Sequence, residues 1–514
     1  MADILDRVRC KALHSKIVSA EEAAAFFQPN MNVACSGFTS SGYPKSTPLA
    51  LAARMEKNPF KVNIWTGAST GPEFDSALAK VNGIGHRMPF QTSRELRDRI
   101  NHGDVDFIDI HLSEMAQQAR SGFFGREDVA LIEASAITEE GNIIPTTSVG
   151  NAASYVQHAK TVIVEINTAV PAEIEGLHDV YVPLDPPNRL PIPIIRPGDR
   201  IGTSFIPCTP DKIQFIVPSD NADTTRELRA PDALSQRMSE LTLSFFRAEI
   251  AAGRMPEHLL PLQCGVGNVA NAVIAGFNEA DVSHLTVYTE VIQDGMLDLI
   301  DSGRLQIASG TAFSPSPDGL QRFFKDIAKY KKHIVLRPAE IANAAEVIRR
   351  LGVIAMNTAI EADIYGSVNS THIRGTHMMN GIGGSGDFAR NASLSIFYTP
   401  STRQDGRISC IVPFASHVDH PAQDVDILIT EQGVADLRGK SPRERARTII
   451  ERCAHPDFRP MLMDYFERAD EATHHAQTPH ILSEAFAMHE RYEKTGTMQL
   501  DTPQPAEPSE PEKE

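Results

Sequence analysis

The chain has 514 residues, of which 41% are hydrophobic, 22% charged and 6% aromatic. At roughly 100–200 residues per domain that length predicts two to four domains with ample buried core, and the composition is that of an ordinary globular protein. No apolar run approaches the ~18–20 residues of a membrane-spanning helix, and a net charge of −17, from 49 basic and 66 acidic residues, argues against general electrostatic binding of nucleic acid.

The N-terminus (MADILDRVRCKALHSK) mixes acids with bases and lacks the apolar core of a signal peptide. Six cysteines, none in a CxxC pair, support neither a disulfide scaffold nor a zinc ribbon. A reducing, cytoplasmic setting is therefore expected. From residue 32 the pattern alternates. NVACSGFTSSGYPKSTPLALAAR (32–54) reads as strand, Gly turn and helix, the helix covering 46–57. VNIWT (62–66), TVIVEI (161–166) and KIQFIV (212–217) read as strands, being short, β-branched apolar runs suited to burial on both faces. Prolines crowd 171–209, which predicts an irregular excursion or lid. A helical pattern follows at 232–253. PLQCGVGNVANAVIAGF (261–277) is again strand, Gly turn and helix, and LTVYT (285–289), HIVLR (333–337) and DILIT (426–430) are further strands, with a helix at 343–351. Such alternation predicts α/β domains with mostly parallel sheets. The tail from 501 to 514 carries five acids, one base, four prolines and no aromatic residue, and is expected to be disordered.

The two strand–Gly turn–helix units lie about 230 residues apart, as do the strands that follow them. This echo predicts two similar open α/β halves, assigned to 1–225 and 226–496, followed by a disordered acidic Pro-rich tail at 497–514. The alternative is coincidence, because strand–turn–helix is a common unit.

Several residues carry candidate chemistry. Gly265-Val266-Gly267-Asn268-Val269-Ala270 fits GxGxxA after a strand, with Glu290 twenty residues on, the spacing of a dinucleotide site. A tight turn without a ligand is the plainer reading. Gly381-Ile382-Gly383-Gly384-Ser385-Gly386 matches GxGxxG, but the residues before it (HIRGTHMMN) do not read as a strand, so it fails as a dinucleotide site. Its repeated glycines suit a loop that turns N–H groups toward an oxyanion or phosphate. Glu290 itself has three readings: a solvated strand-end acid, a ribose ligand, or a desolvated nucleophile at the carboxyl edge of a sheet, where open α/β sheets bind ligands. Glu431 is a second strand-end acid, or simply a helix-start acid. His417-Val418-Asp419-His420 lacks a third metal ligand and reads as a packing loop; His474 and His475 read as surface residues. There is no P-loop motif.

Taken together, SGFTSSGYPK (36–45), GASTG (67–71), EINTAVP (165–171), CGVGNVANAV (264–273), YTEVIQDGMLDLIDSG (288–303), NGIGGSGDFARNA (380–392), IVPFASHVDH (411–420) and TEQGVADLRG (430–439) resemble the acetyl-CoA hydrolase/transferase family of class I CoA-transferases. They run in the expected order through most of 30–440. The resemblance implies two CoA-transferase-like α/β domains with the active site in the cleft between them. It implies that Glu290 carries a glutamyl-CoA thioester, that Asn343 and Gly384 supply donors near it, and that Ser69, Arg226 and Glu431 line the acyl site. It further implies that CoA meets Gly265, Val266, Gly267, Asn268, Val269, Ala270, Ile360, Gly383, Gly384 and Gln404. Gln404 is a departure, because family members often carry Lys there; Arg403 and Arg407 flank it. Arg226, Arg403 and Arg407 are the candidate cations for the CoA phosphates. The expected partners are an acyl-CoA and short carboxylates, with coenzyme A as substrate, no metal or other cofactor, and a homodimeric assembly. The competing functions are an acyl-CoA hydrolase with the same glutamate, an NAD-dependent oxidoreductase, and a non-catalytic acyl-CoA binding module.

Overall fold

The computed structural model describes residues 2–500 apart from 226, 228, 229, 266, 280 and 281. Arg226, Val266 and the 501–514 tail thus lie outside the described residues, whereas the start of the expected disordered tail is ordered: Met498 is buried in the second half's core and its N–H donates to Arg407 O at 2.8 Å. Two parallel sheets organise the chain. The first contains β1 (Asn32–Cys35), β2 (Val62–Trp65), β3 (Ile84–Met88), β4 (Asp106–Phe107), β5 (Val129–Ala134), β6 (Thr161–Asn167) and β7 (Ile213–Ser219) in the order β4-β3-β2-β1-β5-β6-β7. The second contains β8 (Leu262–Cys264), β9 (Leu285–Tyr288), β10 (Leu305–Gly310), β11 (Ile334–Leu336), β12 (Ile354–Thr358), β13 (Leu394–Tyr398) and β14 (Ile427–Thr430) in the order β11-β10-β9-β8-β12-β13-β14. An antiparallel edge strand, β15 (Gly433–Asp436), completes it.

The seven parallel strands of each sheet follow the same order, which is the structural counterpart of the sequence echo. In each half the order reverses beside the first strand, so the Gly turns after β1 and β8 both sit at a switch point, where open α/β sheets leave a crevice at their carboxyl edge. The six strand expectations all fall on strands, because continuous apolar β-branched runs need burial on both faces; every residue of β5, for example, is buried. The helix expected at 46–57 is Ser46–Lys57. The one at 232–253 is Ala233–Ala251, started by the Asp232 carboxylate accepting from the Ser235 N–H at 2.8 Å. The one at 343–351 starts later, at Ala345, because Asn343 ends a separate short helix, Ala339–Ala342. HIRGTHMMN is not strand-free: His372–Ile373 pairs with His377–Met378 in a small hairpin. That hairpin belongs to neither large sheet, so the loop after it is still not a strand-to-helix turn of a dinucleotide fold.

The halves are joined by backbone as well as side chains. The Val149 N–H donates to Thr311 O at 2.9 Å, the Phe313 N–H to Thr147 O at 2.8 Å and the Asp179 N–H to Leu336 O at 2.8 Å. The Pro-rich 171–209 segment holds only a 3-10 turn at Ala172–Ile174. It is the irregular excursion expected, and it packs on the second half: Ile192 and Ile194 are buried with Tyr288 and Ile341, and Asp179 pairs with the buried Arg337. Among the described residues, no helix is long and apolar enough to cross a membrane.

Candidate active site

Glu290 lies two residues beyond the end of β9. Its backbone carbonyl accepts from the N–H groups of Thr311 and Ala312 at 2.8 and 3.0 Å, so the main chain beneath it is fixed. Its side chain is half-buried. The Asn343 amide donates from Nδ2 to Glu290 Oε1 at 3.0 Å. On the opposite side the carboxylate lies against Gly384, where a side-chain carbon would overlap Oε1, Cδ and Oε2 together. Gly384 has φ −90°, open to any residue, so glycine is needed here for closeness and not for conformation. The preceding Gly383 takes φ +62°, and there glycine does supply the left-handed turn that swings the loop onto the carboxylate.

Burial pushes the Glu290 carboxyl up to about 7; the Asn343 bond offsets part of this and the nearby Asp387 adds to it. Asp387 is itself buried. Its Oδ2 accepts from Asn343 Nδ2 at 3.1 Å and from the Ser113 N–H at 3.0 Å, and its Oδ1 accepts from Ser113 Oγ at 2.6 Å. His111 Nδ1 stands 3.9 Å from Oδ1. Burial raises this carboxyl to about 6 against the pull of Ser113 and His111. Ser113 and His111 belong to the first half, so the site straddles both. Asp387, Ser113 and His111 were not singled out from sequence. Asp387 lies inside the NGIGGSGDFARNA block, but His-Leu-Ser at 111–113 carries no motif, and only the fold brings it to the cleft.

The remaining candidates divide. Ser69 is buried, and its neighbour Ala68 shares a small apolar cluster with Val291, Ala312 and Ala339; the GASTG turn therefore reaches the same cleft, although among the described residues no hydrogen bond links Ser69 to Glu290. Glu431 stands beyond β14, four strand spacings from β9, roughly 19 Å away. Its carboxylate accepts from the Ser401 N–H at 2.9 Å and from the Ser401 hydroxyl, bonds that outweigh burial and hold it below the usual range. The structure thus does not bring Glu431 together with Glu290.

The other predicted contacts line up along the carboxyl edge of the second sheet. Moving from Glu290 they are the turn after β8, Ile360 after β12, and Gln404 beyond β13. Gly265 is backed by Asn357 of β12, and Gly267 takes φ +142°. Val269 and Ala270 open the helix Asn268–Glu279 with their side chains packed on the core, so this turn offers a ligand backbone N–H groups and the exposed Asn268. Ile360 and Gln404 line one cavity of about 450 Å3 together with Arg374, Arg403, His489 and Tyr492. Gln404 Oε1 accepts from the Tyr492 hydroxyl at 2.9 Å, while Arg407 is exposed and donates to the Gln404 carbonyl at 3.1 Å. In the 417–420 loop, Asp419 accepts from the Ser370 N–H at 2.7 Å and the Thr371 hydroxyl at 2.9 Å, which is packing chemistry. Among the described residues no group of three His, Cys, Asp or Glu is placed to hold a metal ion. His474 and His475 are exposed.

Comparison with known proteins gives concordant findings. The N-terminal and C-terminal domain models of the acetyl-CoA hydrolase/transferase family match residues 1–218 and 319–466. The chain is 51% identical to a succinyl-CoA:acetate CoA-transferase of Clostridium kluyveri over 96% of this chain and 92% of the relative. It is 44% identical to a propanoyl-CoA:succinate CoA transferase of Escherichia coli, over 94% and 98%, and 43% identical to an acetyl-CoA hydrolase of Yarrowia lipolytica, over 97% and 99%. Among solved structures, RipA from Yersinia pestis shares the fold with a TM-score of 0.70 at 21% identity, over 91% of this chain and 99% of that one. A 4-hydroxybutyrate CoA-transferase from Porphyromonas gingivalis does so with a TM-score of 0.62 at 21% identity, over 89% and 99%.

Proposed function

Since the chain belongs to the acetyl-CoA hydrolase/transferase family, we propose that it is a CoA-transferase that moves CoA between an acyl-CoA and a short carboxylate through a glutamyl-CoA thioester on Glu290. The observation that carries this reading is the carboxylate of Glu290, shielded enough to be pushed up to about 7, bonded to one amide and pressed against Gly384. A carboxylate freed of part of its hydration is a stronger nucleophile toward an acyl carbon.

One Glu290 oxygen attacks the acyl carbonyl; the C–S bond breaks, giving a mixed anhydride and CoA thiolate. The thiolate attacks Cδ of Glu290, and the C–O bond breaks to release the first carboxylate and leave Cδ bonded to sulfur. An incoming carboxylate reverses both steps. Each attack builds an oxyanion, and a well-placed donor such as Asn343 Nδ2 lowers that barrier by about 3–4 kcal/mol. One thioester is exchanged for another, so the balance needs neither ATP nor a metal. The row of segments from the β8 turn through Ile360 to Gln404 suits a long ligand laid along the sheet edge with its sulfur toward Glu290. The pair succinyl-CoA and acetate is favoured by the 51% identical relative, and a homodimer is the assembly proposed for the family's architecture.

A second reading, acetyl-CoA hydrolysis, is favoured by one observation: Glu290 is half-buried and not sealed, so water can compete with the acceptor acid. Release of CoA from acetyl-CoA and succinyl-CoA, assayed with and without acetate or succinate, separates the two. Transfer predicts acceptor-dependent turnover with a new acyl-CoA as product; CoA release indifferent to any acceptor would refute it.

A further inference from the structure

We propose that Asp387 is a positioning residue for the acylation of Glu290: it locks the Asn343 amide with its NH2 edge on Glu290, and Ser113 of the opposite half holds it there. This rests on the reading of Glu290 as the acyl acceptor.

Hydrogen-bond capacity sets the orientation of this amide. Asn343 Nδ2 has two protons; one goes to Glu290 Oε1 at 3.0 Å and the other to Asp387 Oδ2 at 3.1 Å. The Asn343 Oδ1 is buried and has no donor among the described residues. A flipped amide would set Oδ1 between two carboxylate oxygens and lose both bonds, so two acceptors together select one orientation. Of these two, Glu290 changes during the reaction. Once it is an anhydride or thioester it bears no charge and accepts only weakly. Asp387 remains a charged acceptor throughout, and charge-assisted bonds are the stronger kind. The donor is thus kept aimed at the glutamyl carbonyl while that carbonyl is under attack, when its orientation matters most.

Asp387 is in turn fixed from the first half. Ser113 donates from both N and Oγ, and His111 is the basic group that faces it. Ser113 lies in the first turn of the helix Leu112–Arg120. At that helix's far end Arg120 donates to both oxygens of Glu340, at 2.7 and 2.8 Å, and Glu340 lies in the short helix that ends on Asn343. A single first-half helix therefore grips the Asn343 segment twice, directly through Glu340 and through Asp387. The amide is aimed only when the halves are docked.

The test is single-turnover formation of the Glu290 adduct, trapped with borohydride and followed by mass spectrometry, in wild type, Asp387→Asn, Asn343→Ala and the double variant. Misplacing a catalytic group costs on the order of a hundredfold, so Asp387→Asn is expected to slow adduct formation about that much while KM for the acyl-CoA stays nearly unchanged. The double variant should be no slower than Asn343→Ala alone, because both act through one amide. The acidic limb of the rate should move to lower pH in Asp387→Asn, since a neighbouring negative charge has been removed from Glu290. Ser113→Ala, a milder change that carries the test should Asp387→Asn fail to fold, is expected to show a smaller loss with the same non-additivity. Wild-type rates in Asp387→Asn, or losses that multiply in the double variant, would overturn the assignment. Absence of any adduct in the wild type would instead overturn the reading of Glu290, and this inference with it.

Discussion

Replacing Glu290 by Gln should abolish activity and make the protein more stable at alkaline pH. The carboxyl rises from its ordinary 4.5 to about 7 in the folded chain, so folding holds its proton more tightly than the unfolded chain does. Below pH 4.5 the group is neutral in both states, and wild type and variant should match. Between 4.5 and 7 the folded state binds more protons than the unfolded state, so wild-type stability falls as pH rises. Above 7 the whole penalty is present. At 1.36 kcal/mol per pH unit the rise corresponds to about 3 kcal/mol, and solvent at the half-open carboxyl brings the expected gain in Glu290→Gln to about 1–3 kcal/mol. With roughly 2 cal/mol/K of unfolding entropy per residue over some 500 residues, a cooperative transition would shift Tm by about 1–3 °C. Calorimetry at pH 4.5, 6 and 8 tests this. A gap that opens with rising pH supports a buried carboxylate held at a stability cost for chemistry. A variant equally stable at every pH, or less stable at pH 8, would refute the reasoning.

Gly384→Ala should block adduct formation on Glu290 while changing stability by about 1 kcal/mol at most, because φ −90° suits alanine and the clash is with the carboxylate; mass spectrometry and urea denaturation measure the two effects. Gln404→Lys should lower KM for CoA two- to fivefold at low salt, with the gain fading at high salt, as expected of an exposed charge worth about 0.5–1 kcal/mol; steady-state kinetics at two ionic strengths checks it. Glu340→Gln removes one of two carboxylates on Arg120, which keeps Asp185, and should cost about 1–3 kcal/mol, read by denaturation, together with faster hydrogen exchange in the Ala339–Ala342 helix.

The strands and the doubled architecture were legible because parallel strands covered on both faces leave unbroken apolar runs, as in TVIVEI at 161–166, and because both halves open with strand, Gly turn and helix. Glu290 stood out from its place after a strand, while Gly384, within its glycine-rich loop, was singled out only through the family resemblance. Less legible was whatever depends on pairing across the cleft. Asp387 reads as an ordinary first-turn acid of a short helix, and only docking of Ser113 and Asn343 on either side gives it a role. Glu431 shows the opposite failing. Its motif places it at a strand end, but strand order decides distance, and four spacings separate β14 from β9. The irregular course of the Pro-rich 171–209 segment was legible because prolines exclude regular structure, but its anchoring was not: buried Ile192 and Ile194 look no different in sequence from exposed Leu190 and Ile195.

Incubation with acyl-CoA followed by borohydride, digestion and peptide mass spectrometry tests the central claim most directly. The account predicts a reduced side chain confined to the peptide that contains Glu290, absent without acyl-CoA and absent in Glu290→Gln. Turnover of acyl-CoA with that peptide unmodified, or with the adduct on another residue, would contradict it.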